Sequence, residues 1–204
     1  MPSRPNKKAK ESQRQPQAGP STTAAIAQPR LFAPFRALGF ISDHVPFALQ
    51  VHSAKGALAV PAVNIVTCLG RSWAMWDAGR MGLVFVGPDA GAAISSLALG
   101  GNDIFAAAGT RIIKYLRGKE SGVYESREKS LLGKILVFGE QLLALKEDGT
   151  GLLVWDISSR ELLGEITFHA SFTATSLLHP ATYLNKIIVG SQQGELQLWN
   201  IRTA

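Results

Sequence analysis

Short apolar runs separated by glycine-bearing turns recur along most of the chain. Clear examples are residues 103–108, 141–146 and 186–190, and each is followed after a few residues by a second run. The runs lack the periodicity of an amphipathic helix, and they return about every ten residues. This pattern predicts an all-β fold of antiparallel strands.

The second run of each pair ends in an aromatic residue at a regular interval. These aromatic residues, Trp76, Tyr115, Trp155 and Trp199, are 39, 40 and 44 residues apart. Three of them are followed by a polar residue, in the order Asp77, Asp156 and Asn200. A repeat of about 40–45 residues that ends in Trp-Asp is the signature of a WD-repeat propeller blade. We therefore interpret the four aromatic residues as the structural anchors of four repeats.

Each later repeat shows the same order of strands. The predicted first strands are 93–99, 132–138 and 173–178, and the predicted outer strands are 81–86, 120–125 and 161–167. A glycine in each hairpin turn supplies the positive φ that tight turns need, at Gly109, Gly149 and Gly194.

The number of repeats indicates an incomplete propeller over residues 31–204. About four repeats can be counted, and the last ends after its third strand, whereas propellers close with about 4–8 blades. A strand is expected at 46–51, and an extended segment at 36–41 is placed to complete the last blade. An open arc exposes strand edges that a closed ring hides.

Residues 1–30 have a different composition from the rest of the chain. They are rich in Pro, Gln, Ser, Lys and Ala, and Ile26 is their one large aliphatic residue. We predict a disordered tail, because such a segment cannot bury enough apolar surface to offset the entropy of ordering. Six basic residues against Glu11 give this tail +5 of the total charge of +6. Its candidate nuclear-import signal or RNA-contacting arm consists of Arg4, Lys7, Lys8 and Lys10, and a solubilising tail without a specific partner is the alternative.

The sequence lacks the motifs of several other classes of protein. Cys68 is the one cysteine, which excludes an internal disulfide and a multi-cysteine metal site, and no two of the four histidines have i,i+4 spacing. No run reaches the roughly 18–20 apolar residues of a membrane span, and we expect no secretory signal. The glycine-bearing segments 149–151 and 190–194 fit turns better than a nucleotide-binding or nucleophile motif. We therefore expect no catalytic residue, cofactor, metal ion, small-molecule substrate or membrane partner.

The tryptophans have two possible roles. Aromatic side chains can stack on nucleic-acid bases, but Trp76, Trp155 and Trp199 occupy the anchor position, where the ring packs within or between blades. We favour core packing for these three. Trp73 lies outside the anchor position, and the sequence leaves its role open.

Three separated blocks carry a more specific signal than the repeats. They read FAPFRALGFISDHVPFAL, IVTCLGRSWAMWDAGRMGLVFV and HPATYLNKIIVGSQQGELQLWNIRT. In this order they resemble the family of U3 small nucleolar RNA-associated protein 21, called WD repeat-containing protein 36 in animals. The resemblance spans residues 31–203. The segment 52–64 is longer than the hairpin that the family has at this place. The family-motif residues include Phe35, Arg36, Pro46, Phe47, Thr182, Tyr183, Leu184 and Asn185.

The resemblance implies a non-catalytic scaffold in ribosome biogenesis. The family is a subunit of the UTP-B module of the small-subunit processome and acts with the U3 small nucleolar ribonucleoprotein in processing pre-rRNA to 18S rRNA. A nuclear and nucleolar location is implied, with other WD-repeat proteins among the partners. U3 RNA or pre-rRNA is then contacted indirectly or through the basic tail.

Two other functions fit the repeats to different degrees. A WD-repeat adaptor that binds protein peptides and has no part in ribosome assembly fits the repeats equally well. An enzyme built on a propeller needs a polar cluster in the central channel, which the sequence does not supply.

Overall fold

The computed structural model describes residues 41–52, 61–180, 182, 183 and 185–201. All regular elements of this part of the chain are β-strands. None of the described segments forms a helix long and apolar enough to cross a membrane. The predicted tail 1–30 and the motif residues Phe35, Arg36 and Leu184 lie outside the described residues.

Fifteen strands form four antiparallel sheets that follow one another along the chain. Sheet 1 contains β1 (Ala48–Val51), β2 (Val63–Leu69), β3 (Ser72–Asp77) and β4 (Gly82–Val86). Sheet 2 contains β5 (Ile94–Gly100), β6 (Asp103–Ala108), β7 (Arg111–Leu116) and β8 (Lys119–Glu125). Sheet 3 contains β9 (Leu132–Phe138), β10 (Gln141–Lys146), β11 (Gly151–Asp156) and β12 (Leu162–Thr167). Sheet 4 contains β13 (Ala174–Leu178), β14 (Lys186–Ser191) and β15 (Leu196–Asn200).

These sheets are the blades of an incomplete propeller, and the predicted fold class is confirmed. The first strand of each sheet lies against the first strand of the next, in the order β1, β5, β9 and β13. Gly109, Gly149 and Gly194 adopt positive φ values of 64°, 71° and 85° in the hairpin turns. The strands therefore fold as meanders around a shared inner edge.

The first strand begins two residues later than predicted. Pro46 has no backbone N–H to give to a strand ladder. The segment before β1 is held by Asp43. Its carboxylate accepts hydrogen bonds from the backbone nitrogens of Val45 at 2.9 Å and Gly70 at 2.7 Å. β1 therefore starts at Ala48, and Ile41, the described end of the predicted segment 36–41, has no strand.

The two faces of each sheet have different neighbours, because successive side chains of a strand point to opposite faces. We call the face that carries the anchor aromatic residue the anchor face and the other the back face. The back face of sheet 1, with Cys68 and Trp73, packs on the anchor face of sheet 2, with Ile104 and Tyr115. Each pair of neighbouring sheets thus buries one anchor face against one back face.

The next two interfaces repeat this arrangement. Phe105 and Ile112 on the back face of sheet 2 pack in one cluster with Leu142 and Trp155 on the anchor face of sheet 3. The back face of sheet 3 packs on the anchor face of sheet 4, in a cluster that includes Leu143, Leu152, Val154, Ile187 and Trp199. Every anchor after the first therefore contacts the preceding sheet.

Candidate protein-interaction surfaces

The four repeat anchors differ in burial. Tyr115 and Trp155 are buried, and Trp199 is half-buried with its ring centroid 5.7 Å from that of Phe168. Trp76 is also half-buried, because it lies on the anchor face of sheet 1 and no described sheet precedes sheet 1. At the equivalent position in sheet 3, Trp155 packs against sheet 2 and is buried.

Trp76 is held within its own sheet by a hydrogen bond that the sequence analysis missed. Its Nε1 donates to the hydroxyl oxygen of Thr67 at 3.0 Å. Thr67 is buried on β2, and its backbone partner on β3 is Ala74, two residues from Trp76. Diagonal neighbours on one face of a sheet can touch. A threonine on the neighbouring strand, opposite the residue two positions before an anchor, is therefore the sequence signal that could have predicted this bond.

The role of Trp73, which the sequence left open, is core packing. Its ring centroid lies 5.5 Å from that of Tyr115 and 5.6 Å from that of Phe85, and the side chain is buried. Its Nε1 has no hydrogen-bond partner among the described residues. A buried ring in this position does not stack on an external base.

The polar residues that follow three of the anchors hold nearby turns and connections through hydrogen bonds. The carboxylate of Asp77 accepts a hydrogen bond from the backbone nitrogen of Arg80 at 2.9 Å. Asp156 accepts one from Ser159 at 2.7 Å, which lowers the pKa of its carboxyl below the usual value. Asn200 accepts a hydrogen bond from the side chain of Asn185 at 2.9 Å.

The described family-motif residues occupy sheets 1 and 4. Pro46 and Phe47 are exposed just before β1, and Thr182 and Tyr183 are exposed in the connection between β13 and β14. Asn185 is partly buried because it ties this connection to the end of β15. Two aromatic rings, those of Phe47 and Tyr183, are therefore presented to solvent.

A cleft of about 350 Å³ opens between sheets 1 and 2. Its apolar walls come from Trp73, Met75, Val84, Phe85 and Ile104. Its polar lining comes from Gln50, His52, Asn64, Asn102 and Arg117. An apolar pocket with a few amide groups and one guanidinium suits a protein segment that inserts an apolar side chain.

Hydrogen bonds fix the polar side of this cleft. The side-chain nitrogen of Asn64 lies 2.9 Å from Nε2 of His52, and Gln50 donates to the carbonyl oxygen of Gly101 at 3.1 Å. These contacts fix the positions of the amide groups, and none of the described residues that line the cleft carries a hydroxyl or a thiol.

A second cleft, of about 450 Å³, opens between sheets 2 and 3 at the same end. Gly101 lines this cleft and its neighbour Asn102 lines the first, so one turn borders both. Asp103 in the second cleft forms an ion pair with Lys114 at 2.8 Å. The two clefts thus form one irregular surface across three sheets.

The groups that could support other chemistry have structural roles. Within residues 41–52, 61–180, 182, 183 and 185–201, no three His, Cys, Asp or Glu side chains come together to hold a metal ion. His169 bonds to the hydroxyl of Ser171 at 2.8 Å, and the ring of His179 lies on that of Phe138 at 4.1 Å. Burial raises the pKa of the Cys68 thiol to about 12.

Comparison with known proteins identifies the family. A family model described as the WDR36/Utp21 first beta-propeller matches residues 65–204. The chain belongs to the WDR36/Utp21 family. This confirms the resemblance carried by the three sequence blocks.

Three curated relatives from the WDR36/Utp21 family align with most of this chain. WD repeat-containing protein 36 of Homo sapiens is 36% identical over 174 residues, 85% of this chain and 19% of the relative. The U3 small nucleolar RNA-associated protein 21 homolog of Schizosaccharomyces pombe is 33% identical, over 88% of this chain and 20% of the relative. U3 small nucleolar RNA-associated protein 21 of Saccharomyces cerevisiae is 30% identical, over 85% of this chain and 18% of the relative. The chain thus spans about a fifth of the length of these relatives.

The similarity to solved structures supports the propeller fold and nothing more specific. The Cps50 (Swd1) β-propeller domain of Myceliophteria thermophila aligns with a TM-score of 0.57 and 17% identity, over 69% of this chain and 48% of that domain. The computationally designed protein Ika4 aligns with a TM-score of 0.56 and 20% identity, over 76% of this chain and 91% of the design.

Proposed function

We propose that this chain is a non-catalytic scaffold of ribosome biogenesis that acts within the UTP-B module of the small-subunit processome. In this role it assembles with the U3 small nucleolar ribonucleoprotein and supports the processing of pre-rRNA to 18S rRNA. The observation that carries the proposal is the match to the WDR36/Utp21 propeller over residues 65–204. Two of the relatives are named for their association with U3 small nucleolar RNA.

The surface that we assign to partner proteins is the pair of neighbouring clefts. The outer strand β4 lines the first cleft with Val84 and Phe85, which are 55% and 41% exposed. The corresponding strand β8 has the sequence KESGVYE and is largely polar. Exposed apolar side chains grouped at a pocket can mark a site of protein interaction. We expect its partners to be processome proteins, including other WD-repeat subunits.

The basic tail supplies a separate contact. Arg4, Lys7, Lys8 and Lys10 are proposed to contact U3 RNA or pre-rRNA phosphates, or to act as a nuclear-import signal. Phosphate contacts of this kind are salt-dependent and independent of base sequence. We place the protein in the nucleus and the nucleolus.

The test is the recovery of U3 small nucleolar RNA with the tagged chain at moderate salt. The wild-type chain is expected to enrich this RNA, and Val84→Asp is expected to reduce the enrichment about tenfold or more, as for a central interface residue. Leu163→Asp is the matched control, because Leu163 lies on the corresponding outer strand of sheet 3 and is 54% exposed, against 55% for Val84.

The result also separates the scaffold from its alternative. Enrichment that is lost with Val84→Asp and kept with Leu163→Asp supports the scaffold. The tagged chain could instead recover no U3 RNA and bind, through the same cleft, proteins that do not belong to the processome. In that case the chain is a peptide-binding adaptor and the scaffold proposal is wrong.

A further inference from the structure

The two clefts on either side of the β5–β6 turn differ in charge. Among the described residues that line the first cleft, Arg117 is the one Arg, Lys, Asp or Glu. In the second cleft Asp103 and Glu140 are the two residues of these types. Gly101 and Asn102, in the turn that borders both clefts, are uncharged. A chain segment that crosses this turn therefore passes from a positive to a negative region.

Arg117 is placed at the first cleft by a tight hairpin turn. Arg117 and Gly118 join β7 to β8 and have positive φ values of 51° and 78°. Among the described residues, the guanidinium of Arg117 has no ion pair and no hydrogen-bond partner. In sheet 3, by contrast, Nη2 of Arg160 donates to the carbonyl oxygen of Ser121 at 2.9 Å. The N–H donors of Arg117 are thus free to bind a ligand.

A carboxylate is the group that best matches this cleft. The planar guanidinium binds a carboxylate through two parallel hydrogen bonds. A phosphate binds a guanidinium in a similar way, but its charge is close to two, and Arg117 is the one Arg or Lys that lines the cleft. The apolar wall beside it includes Trp73, Met75 and Phe85, which suit an apolar side chain. The first cleft therefore fits an acidic residue next to an apolar one.

A basic side chain is the group that best matches the second cleft. Asp103 is already paired with Lys114 at 2.8 Å, whereas the carboxylate of Glu140 has the hydroxyl of Ser158, at 3.4 Å, as its side-chain contact. Lys and Arg lay their aliphatic stems along apolar surface and keep the charged end at a polar rim. The apolar walls of the cleft are Leu99, Phe105, Val137 and Ile157. A basic side chain can therefore lie along these walls and reach Glu140.

We propose that the pair of clefts binds one extended segment of a partner protein, with an acidic and an apolar side chain in the first cleft and a basic side chain in the second. Sheets packed face to face lie about 10 Å apart, and an extended chain advances about 3.3 Å per residue. The acidic and basic residues of the segment are therefore at least about three residues apart. The inference rests on the proposed function, in which this surface receives partner proteins.

The experiment selects displayed random twelve-residue peptides on the full chain. Peptides enriched on the wild type are expected to combine an acidic, an apolar and a basic residue. Arg117→Glu is expected to replace the acidic preference with a basic one, and Glu140→Lys to replace the basic preference with an acidic one. Lys119→Glu and Glu161→Lys are the controls, because each reverses the same charge at an exposed residue that lines neither cleft.

Fluorescence anisotropy with one enriched peptide measures the contact with Arg117. Replacing the acidic residue of the peptide by its amide should weaken binding to the wild type about tenfold, as for a hydrogen bond between charged groups. The same replacement should have little effect on binding to Arg117→Gln, which already lacks the guanidinium. Circular dichroism establishes that each variant keeps its strands.

The outcomes separate this inference from the proposed function. No enriched peptide, a wild-type pattern that lacks the acidic or the basic residue, or preferences that survive Arg117→Glu and Glu140→Lys would overturn the inference. U3 small nucleolar RNA recovered by a chain with such a result would leave the scaffold proposal in place. The expected peptide pattern without recovery of U3 RNA would support the inference and contradict the scaffold.

Discussion

The indole nitrogen of Trp76 lies 3.0 Å from the hydroxyl oxygen of Thr67 and donates a hydrogen bond to it. This bond fixes the one anchor that no other described sheet covers. Thr67→Val keeps the shape of the side chain and removes the acceptor, so the free energy of unfolding should fall by about 1 kcal/mol.

Urea denaturation at one fixed protein concentration measures this change. Thr167→Val, at an exposed position on β12, is the control and should have little effect. Equal stability of Thr67→Val and the wild type would mean that Trp76 is held by packing alone.

Gly87 marks a close approach between the chain and the ring of Trp73. A Cβ at this position would overlap the indole ring, which is buried between Phe85 and Tyr115. Because a filled core cannot move aside without strain, Gly87→Ala should destabilise the fold by about 1–3 kcal/mol.

Gly82→Ala is the matched control for Gly87, since a Cβ there meets no atom within 4 Å. The two variants are compared by thermal and urea unfolding. A Gly87→Ala protein as stable as Gly82→Ala would show that Trp73 has room to shift.

Asp148 gives the hairpin turn between β10 and β11 a dependence on pH. The backbone nitrogen of Thr150 donates to its carboxylate at 3.0 Å and lowers the pKa of Asp148, while burial acts in the opposite direction. A carboxyl whose pKa is lower in the folded state stabilises the fold above its unfolded pKa of about 3.9. That contribution is lost as the pH falls through the folded-state pKa.

Asp148→Asn should therefore be less stable than the wild type near pH 6, and the difference should shrink below about pH 4. Denaturation curves recorded at several pH values give this comparison. Glu147→Gln removes a charge from the same turn and serves as control. A difference that stays constant with pH would exclude the carboxylate of Asp148 as its source.

The lysines of the basic tail lead to a prediction of how the affinity for RNA depends on salt concentration. Each phosphate neutralised on a single strand adds about 0.7 to the slope of log affinity against log salt concentration, so replacing Lys7, Lys8 and Lys10 with Ala should reduce that slope by about 2. Fluorescence anisotropy with two labelled single-stranded RNAs of different sequence measures both slopes. The reduction should be the same for the two RNAs, and an unchanged slope would assign RNA contact to another surface.

The strands could be predicted because their signals are local. Apolar runs and turn glycines placed the strands 103–108, 132–138 and 141–146 at the bounds found in the structure. The later start of β1 depends on Asp43, whose carboxylate reaches across to Gly70 in another turn. A contact between residues so far apart in sequence leaves no periodic signal.

The candidate surfaces depend on which faces meet, and this could not be predicted from the repeats alone. Trp73 and Trp76 are three residues apart and equally aromatic, yet one is buried on the back face and the other is half-buried on the anchor face. Their difference arises because sheet 2 covers the back face of sheet 1, whereas no described sheet covers its anchor face. The clefts likewise form between sheets, from residues that no single repeat contains.

Among the described residues, the three core clusters each join one sheet to the next, and we expect this arrangement to set the order in which the fold opens. Sheets 2 and 3 are each held on both faces, whereas sheet 4 has three described strands and one held face. When stability comes from each unit and its nearest neighbours, units at the ends fray before those in the middle. Amide hydrogens of β14 and β15 should therefore exchange with solvent before those of β6 and β10, and any molecule that covers the exposed face of sheet 4 will slow that exchange.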